Sequence, residues 1–152
     1  MANKITDELR QEWLENLENN GTSCLEDAPE EVIADKEFML KAVKRHGWAL
    51  EFASEELRAD REVVLEAVKE NGYALQFASP ELRADKEFVF EAVKLNCVAL
   101  QYASIELRAD REFMIKAVKQ NGWAYAFSSK ELKNDPELER IADENMPDNL
   151  PF

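Results

Sequence analysis

Glycine, cysteine and histidine are all scarce in this chain, and basic residues are outnumbered. The four glycines are each placed at a helix end below, which leaves no phosphate-cradling loop to assign. A single histidine, His46, offers neither a catalytic pair nor a histidine-based metal set. Two cysteines, Cys24 and Cys97, are too few for a disulfide framework or a ligand cluster, and they suit a reducing, intracellular setting. Nothing approaches the ~20 apolar residues of a membrane span. The opening MANKITDELRQEW is polar and acidic where a signal peptide is basic and then apolar. With 19 basic against 32 acidic residues, the net charge of −13 disfavours direct contact with nucleic acid or an anionic membrane surface.

The acidity is uneven. Residues 1–34 carry two basic and nine acidic residues, 35–134 carry 16 and 17, and 135–152 carry one and six. The middle is therefore nearly neutral and the ends are solubilising. That distribution argues against a polyanionic face running the length of the chain, as a nucleic-acid mimic would need.

What is present is a repeat. DKEFMLKAVKRHGWALEFASEELRA (35–59) returns as DREVVLEAVKENGYALQFASPELRA (60–84), DKEFVFEAVKLNCVALQYASIELRA (85–109) and DREFMIKAVKQNGWAYAFSSKELKN (110–134). A fixed 25-residue period is the mark of stacked units, each too small to bury its own apolar face. Asp35, Asp60, Asp85, Asp110 and Asp135 stand where helix N-caps belong, and Pro136 follows the last of them at the favoured first helical position. The helix from Asp35 is expected to run about 12 residues to His46, with Gly47, Gly72 and Gly122 closing this helix and its equivalents. On a helical wheel Phe38, Met39, Leu40, Ala42 and Val43 cover roughly 200°, so the helix is packed on two sides. A short segment follows, Trp48 to Ala53, with Leu50 and Phe52 inward. Ser54 then opens a further turn that carries Leu57 into the core, as Ser79-Pro80 does with Leu82.

The ends are weaker copies. Thr6 to Asn20 reads as a helix on Leu9, Trp13, Leu14 and Leu17, ending at Gly21; with Leu25 to Ala34 it makes an N-terminal cap and partial repeat over 1–34. In the C-terminal cap, 135–146, Asp143 replaces the valine of Val43, Val68, Val93 and Val118, as a closing layer requires. The tail 147–152 carries two prolines with Met146 before it and reads as extended. The expected fold is all-α, a short α-solenoid of 25-residue helical repeats with a capping helix at each end, in one domain.

The pattern D-[KR]-E-[FV]-x-x-x-A-V-K-x-N-G-x-A-L-x-[FY]-A-S-x-E-L-R-x resembles the tandem repeat catalogued as domain of unknown function four-one-one-six. The resemblance covers 35–134 and part of the flanks. It implies an α-helical repeat array and assigns no residue a chemical role. Cys97 for the glycine, Val98 for the aromatic and Tyr125 for the leucine are the departures.

No chemistry is expected of the recurring acids. Equivalent residues of adjacent layers lie about 8–10 Å apart, beyond sharing an ion at ~2.0–2.6 Å, so no metal, cofactor or catalytic residue is assigned. Arg58, Arg83, Arg108 and Lys133 are expected to pair with the acidic ladder across repeats. Trp48, Tyr73, Trp123, Phe52, Phe77, Tyr102 and Phe127 are assigned to core packing rather than to a nucleic-acid stacking platform, which would need a basic groove.

One repeat departs where core needs do not explain it. Leu95 stands where others have Arg45, Glu70 and Gln120, and Ile105 where others have Glu55, Pro80 and Lys130. Apolar residues at positions that face water mark a candidate partner surface. The chain reads as a non-catalytic scaffold for an unidentified protein partner, monomeric or weakly self-associating. The alternative class is an acidic inhibitor that occupies a basic nucleic-acid-binding protein.

Overall fold

The recurring aspartates decide where helices begin. In the computed structural model, which describes residues 5–148, the Asp35 carboxylate accepts from the Phe38 N–H at 2.7 Å, Asp85 from Phe88 at 2.8 Å and Asp110 from Phe113 at 3.0 Å. Asp60 and Asp135 each accept from two amides, those of Glu62 and Val63 and those of Glu137 and Leu138. These caps satisfy amides that have no partner inside the helix and set a negative charge at its positive end.

The α-helices, in chain order, are α1 (Asp7–Asn20), α2 (Glu30–Ile33), α3 (Lys36–Arg45), α4 (Glu55–Arg58), α5 (Arg61–Glu70), α6 (Pro80–Ala84), α7 (Lys86–Leu95), α8 (Ile105–Ala109), α9 (Arg111–Gln120) and α10 (Pro136–Glu144). Between them run the 3₁₀ helices Gly21–Asp27, Gly47–Phe52, Gly72–Phe77, Cys97–Tyr102, Gly122–Phe127 and Leu132–Asn134. No strand occurs among the described residues. Each repeat is thus a ten-residue helix, a 3₁₀ helix and a short turn. The predicted tail falls partly outside the described residues, from 149 onward.

The helices do not end as the glycines suggested. They end on His46, Asn71, Asn96 and Asn121, all in extended backbone with φ between −141° and −158°. Among the described residues only Gly21 has a positive φ, +66°. The three asparagines turn their side chains forward to cap the next segment, accepting from Tyr73, Val98 and Trp123 amides at 3.0–3.2 Å. Gly47 and Gly122 are small because of what lies against them. A Cβ on Gly47 would stand 2.6 Å from Glu70 Oε2 and 2.7 Å from the Ala67 carbonyl; on Gly122 it would stand 2.3 Å from the Ala142 carbonyl.

The described chain falls into two compact units, one ending at Ser79 and one beginning at Pro80. In the first unit α1 packs on α3 and α3 on α5, while the 3₁₀ helices Gly21–Asp27, Gly47–Phe52 and Gly72–Phe77 stack in the same order. In the second, α7 packs on α9 and α9 on α10, with Cys97–Tyr102 against Gly122–Phe127. Both units repeat one backbone tie, from the amide that opens a turn to a carbonyl of the preceding turn. Ser54 donates to Ile33 and Ser79 to Arg58 in the first unit, Ser104 to Arg83 and Ser129 to Arg108 in the second, at 2.8–3.1 Å. Phe38, Met39, Ala42, Val43 and Leu50 are sealed, as are Phe88, Val89, Ala92 and Leu100. Each large side chain so buried contributes about 1.5–3 kcal/mol.

Three core assignments need correction. Leu40 is half-buried, so the helix wheel overstated the apolar arc. Trp48 and Tyr73 are exposed, and Phe52, Phe77, Tyr102 and Phe127 are half-buried. Three residues per turn in a 3₁₀ helix align Gly47, Leu50 and Ala53 inward and leave Trp48 and Glu51 outward. Trp48 then lies edge-on to Phe77, ring centres 5.4 Å apart. In α1, Leu9 and Trp13 are half-buried while Arg10, only 4% exposed, goes inside.

Candidate functional site

The strongest polar contacts join adjacent layers. Lys36 reaches Asp60 at 2.8 Å and Glu62 at 2.9 Å; Lys86 reaches Asp110 at 2.5 Å; Arg111 reaches Asp135 at 2.6 Å and also Glu137. The residue that follows one N-cap therefore bridges to the N-cap of the next helix. These contacts hold the lysines and Arg111 above their ordinary pKa. The Lys86 and Arg111 side chains hold Asp110 and Asp135 below the usual carboxylate range. At Asp60 burial pushes upward, but the hydrogen bonds from Lys36 and the Val63 amide outweigh it and the net shift is down. All of this is structural work at helix ends.

The turn arginines expected to make these bridges form no such ion pair among the described residues. Arg58, Arg83 and Arg108 leave short turns, and their Nε atoms are buried without a hydrogen-bond partner. The bridge falls to Lys36, Lys86 and Arg111 because the first residue of a helix lies level with the neighbouring cap, whereas the turn arginine starts one turn earlier. His46 is the half-buried C-cap of α3. Among the described residues no three His, Cys, Asp or Glu side chains converge to hold a metal ion.

What remains is surface relief. In the first unit a polar hollow of about 460 Å³ is lined by Lys44, Glu66, Lys69 and Glu70. In the second unit a smaller one of about 200 Å³ lies between α7 and α9, floored by Phe90 and Phe113 and rimmed by Lys86, Glu87, Glu112 and Lys116. The third, about 450 Å³, also in the second unit, brings together Pro80, Arg83, Tyr102, Ile105 and Arg108.

The predicted contact residues scatter over this relief. Leu95 is 45% exposed and Ile105 72% exposed, yet they do not form one patch. Ser104 is tied to the Arg83 carbonyl, which places Ile105 beside the N-terminal end of α7, whereas Leu95 is the last residue of that helix. Ten residues at ~1.5 Å each separate those ends by about 15 Å. Cys97 and Val98, in the same repeat, are buried. Arg45 is ion-paired with Glu18 at 2.6 Å. Glu70 accepts from the Gly47 amide at 2.5 Å, so it braces the fold as well as lining a hollow. Gln120 is exposed at the end of α9.

The neighbour that Ile105 does have is Pro80, its own counterpart one repeat earlier, and the two line the same groove. Sequence reasoning assigned Pro80 only to a helix start. The signal was available in the period: 55, 80, 105 and 130 carry Glu, Pro, Ile and Lys, so the two apolar members are consecutive.

A family model described as domain of unknown function (DUF4116) matches residues 35–83 and again 85–133. Each match spans two of the 25-residue repeats. No match was found among the curated proteins or among the solved structures.

Proposed function

The chain belongs to the DUF4116 family, and from that premise we propose that it is a non-catalytic helical-repeat scaffold whose work is to bind another protein. The observation that carries this reading is the groove of the second unit. Ile105 presents an apolar side chain, 72% exposed, next to Pro80, in a concavity rimmed by polar groups. Exposed apolar surface framed by polar residues suits a protein contact. Lys36, Lys86, Arg111, Asp60, Asp110 and Asp135 are committed to helix caps and interlayer bridges, which leaves them poorly placed for acid–base or nucleophilic work.

Among the described residues no helix is long and apolar enough to cross a membrane. Both cysteines are free, Cys97 within the core and Cys24 half-buried, which suits the intracellular setting we assign to the chain. The test is reconstitution. A protein captured from extract is purified and its affinity measured for the wild type, Ile105→Lys and Leu95→Glu. The reading expects Ile105→Lys to weaken binding at least tenfold, about 1.4 kcal/mol, with Leu95→Glu near wild type. Equal affinity for wild type and Ile105→Lys removes the groove as the binding surface.

A further inference from the structure

The groove contains two guanidinium groups that the protein itself leaves unanswered. Arg10, Arg45, Arg111 and Arg140 each form an ion pair with a carboxylate. Arg83 and Arg108 form none among the described residues, although the chain carries 32 acidic residues against 19 basic ones. Their Nε atoms are buried without an acceptor, a cost that most folds avoid. Both arginines are half-buried and line the groove, with the Nε of each shut in.

Building on the protein-binding reading above, we propose that this groove takes an extended acidic segment of a partner protein, with one carboxylate on Arg83, a second on Arg108 and an apolar side chain between Ile105 and Pro80. Charge and spacing both point that way. A guanidinium fork matches a carboxylate with two parallel hydrogen bonds. Arg83 and Arg108 hold the same position in adjacent layers, about 8–10 Å apart. Alternate residues of an extended chain lie on one face about 6.6–6.8 Å apart, and the reach of two glutamate side chains covers the difference. The residue between them faces away, so the apolar contact with Ile105 comes from the residue next along the same face. Glu106 stands on the groove rim as well and opposes such a ligand. Removing its charge is therefore expected to strengthen binding. Single-stranded nucleic acid offers anions at similar spacing, but it carries no aliphatic side chain to lie between Ile105 and Pro80.

The probe is a fluorescein-labelled ten-residue peptide with glutamate at two alternate positions and leucine at the next position on the same face, compared by anisotropy with its glutamine counterpart and with a labelled oligothymidine. The expected results are preference for the glutamate peptide, at least tenfold loss in Arg83→Gln and in Arg108→Gln, a similar loss in Arg83→Lys, and a gain of a few fold in Glu106→Gln. The melting temperature of Arg83→Lys should stay at or above wild type, because a methylene replaces the buried Nε that has no acceptor. Equal binding of the glutamate and glutamine peptides, or of wild type and both arginine variants, overturns the proposal, as does oligothymidine binding more tightly than the peptide. If a reconstituted partner still loses affinity in Ile105→Lys while the acidic peptide fails, the acidic-segment inference falls and protein binding by the groove stands.

Discussion

Removing the Arg10 side chain should destabilise the first unit far more than removing Lys36, although both bridge one layer's helix to the aspartate cap of the next. The Arg10 side chain is 5% exposed and grips Asp35, itself 12% exposed, through Nε at 3.0 Å and Nη2 at 3.1 Å, with Asp7 as a further partner. Lys36 is 45% exposed and its partner Asp60 25%. Breaking a buried pair leaves a charge without compensation and costs about 3–5 kcal/mol, whereas solvent screens the exposed one. Arg10→Ala is therefore expected to lose about 3 kcal/mol or more of unfolding free energy, read from urea transitions followed by far-UV circular dichroism. Lys36→Ala should lose a small fraction of that. Four residues after their own aspartate caps, Met39, Val64, Val89 and Met114 are all buried, as Arg10 is four residues after its cap Thr6. The double variant Arg10→Met with Asp35→Asn should therefore recover most of the loss: methionine fills the space, and asparagine still caps α3 without a charge. Equal losses in Arg10→Ala and Lys36→Ala, or a double variant as unstable as Arg10→Ala, would refute the reasoning that burial sets the magnitude.

Glycine substitutions should separate close approach from backbone strain. Gly122→Ala meets the Ala142 carbonyl and Met146 and Asn145 backbone atoms within 2.9 Å, so overpacking of about 1–3 kcal/mol is expected. Gly21→Ala meets nothing within 4 Å but has φ +66°, for a cost of about 1–2 kcal/mol; a neutral Gly122→Ala would show that α10 lies farther off. On acidification, the caps should fail in a defined window. Asp60, Asp110 and Asp135 titrate below their ordinary value in the folded state, so their contribution is complete above the unfolded carboxylate pKa of about 3.9 and is lost as pH falls through the lower folded values. Melting temperature should thus fall below about pH 4, less steeply when all three aspartates are asparagine. Parallel curves for the two proteins would remove the caps as the cause.

Much of the fold was legible because its signals are local. An aspartate before an apolar run, a proline after Asp135 and a valine recurring every 25 residues each speak through their own helix. The misreadings lie where the answer depends on a neighbouring layer. Gly47 looked like a helix terminator, but its lack of a side chain answers to Glu70 and Ala67. Arg10 carries no signal of burial within its own helix, and Asp35 draws it inside. Trp48 looked like core because aromatics usually are, and only the three-fold periodicity of a 3₁₀ helix turns it outward. The candidate surface was half legible: Ile105 stood out as an apolar residue at a polar position, while Arg83 and Arg108 were hidden behind a plausible ion pair that Lys86 and Arg111 make instead.

The claim that each 25-residue block is an interchangeable layer can be met directly by deletion within the second unit. Removing residues 110–134 joins Ala109 to Asp135, so the last aspartate cap takes the place of Asp110; removing residues 115–134 cuts the chain off that register. Equivalent layers predict that the first deletion keeps its helical circular dichroism per residue and a cooperative thermal transition, while the second loses the transition for that unit. The same behaviour from both deletions, folded or unfolded, would contradict it.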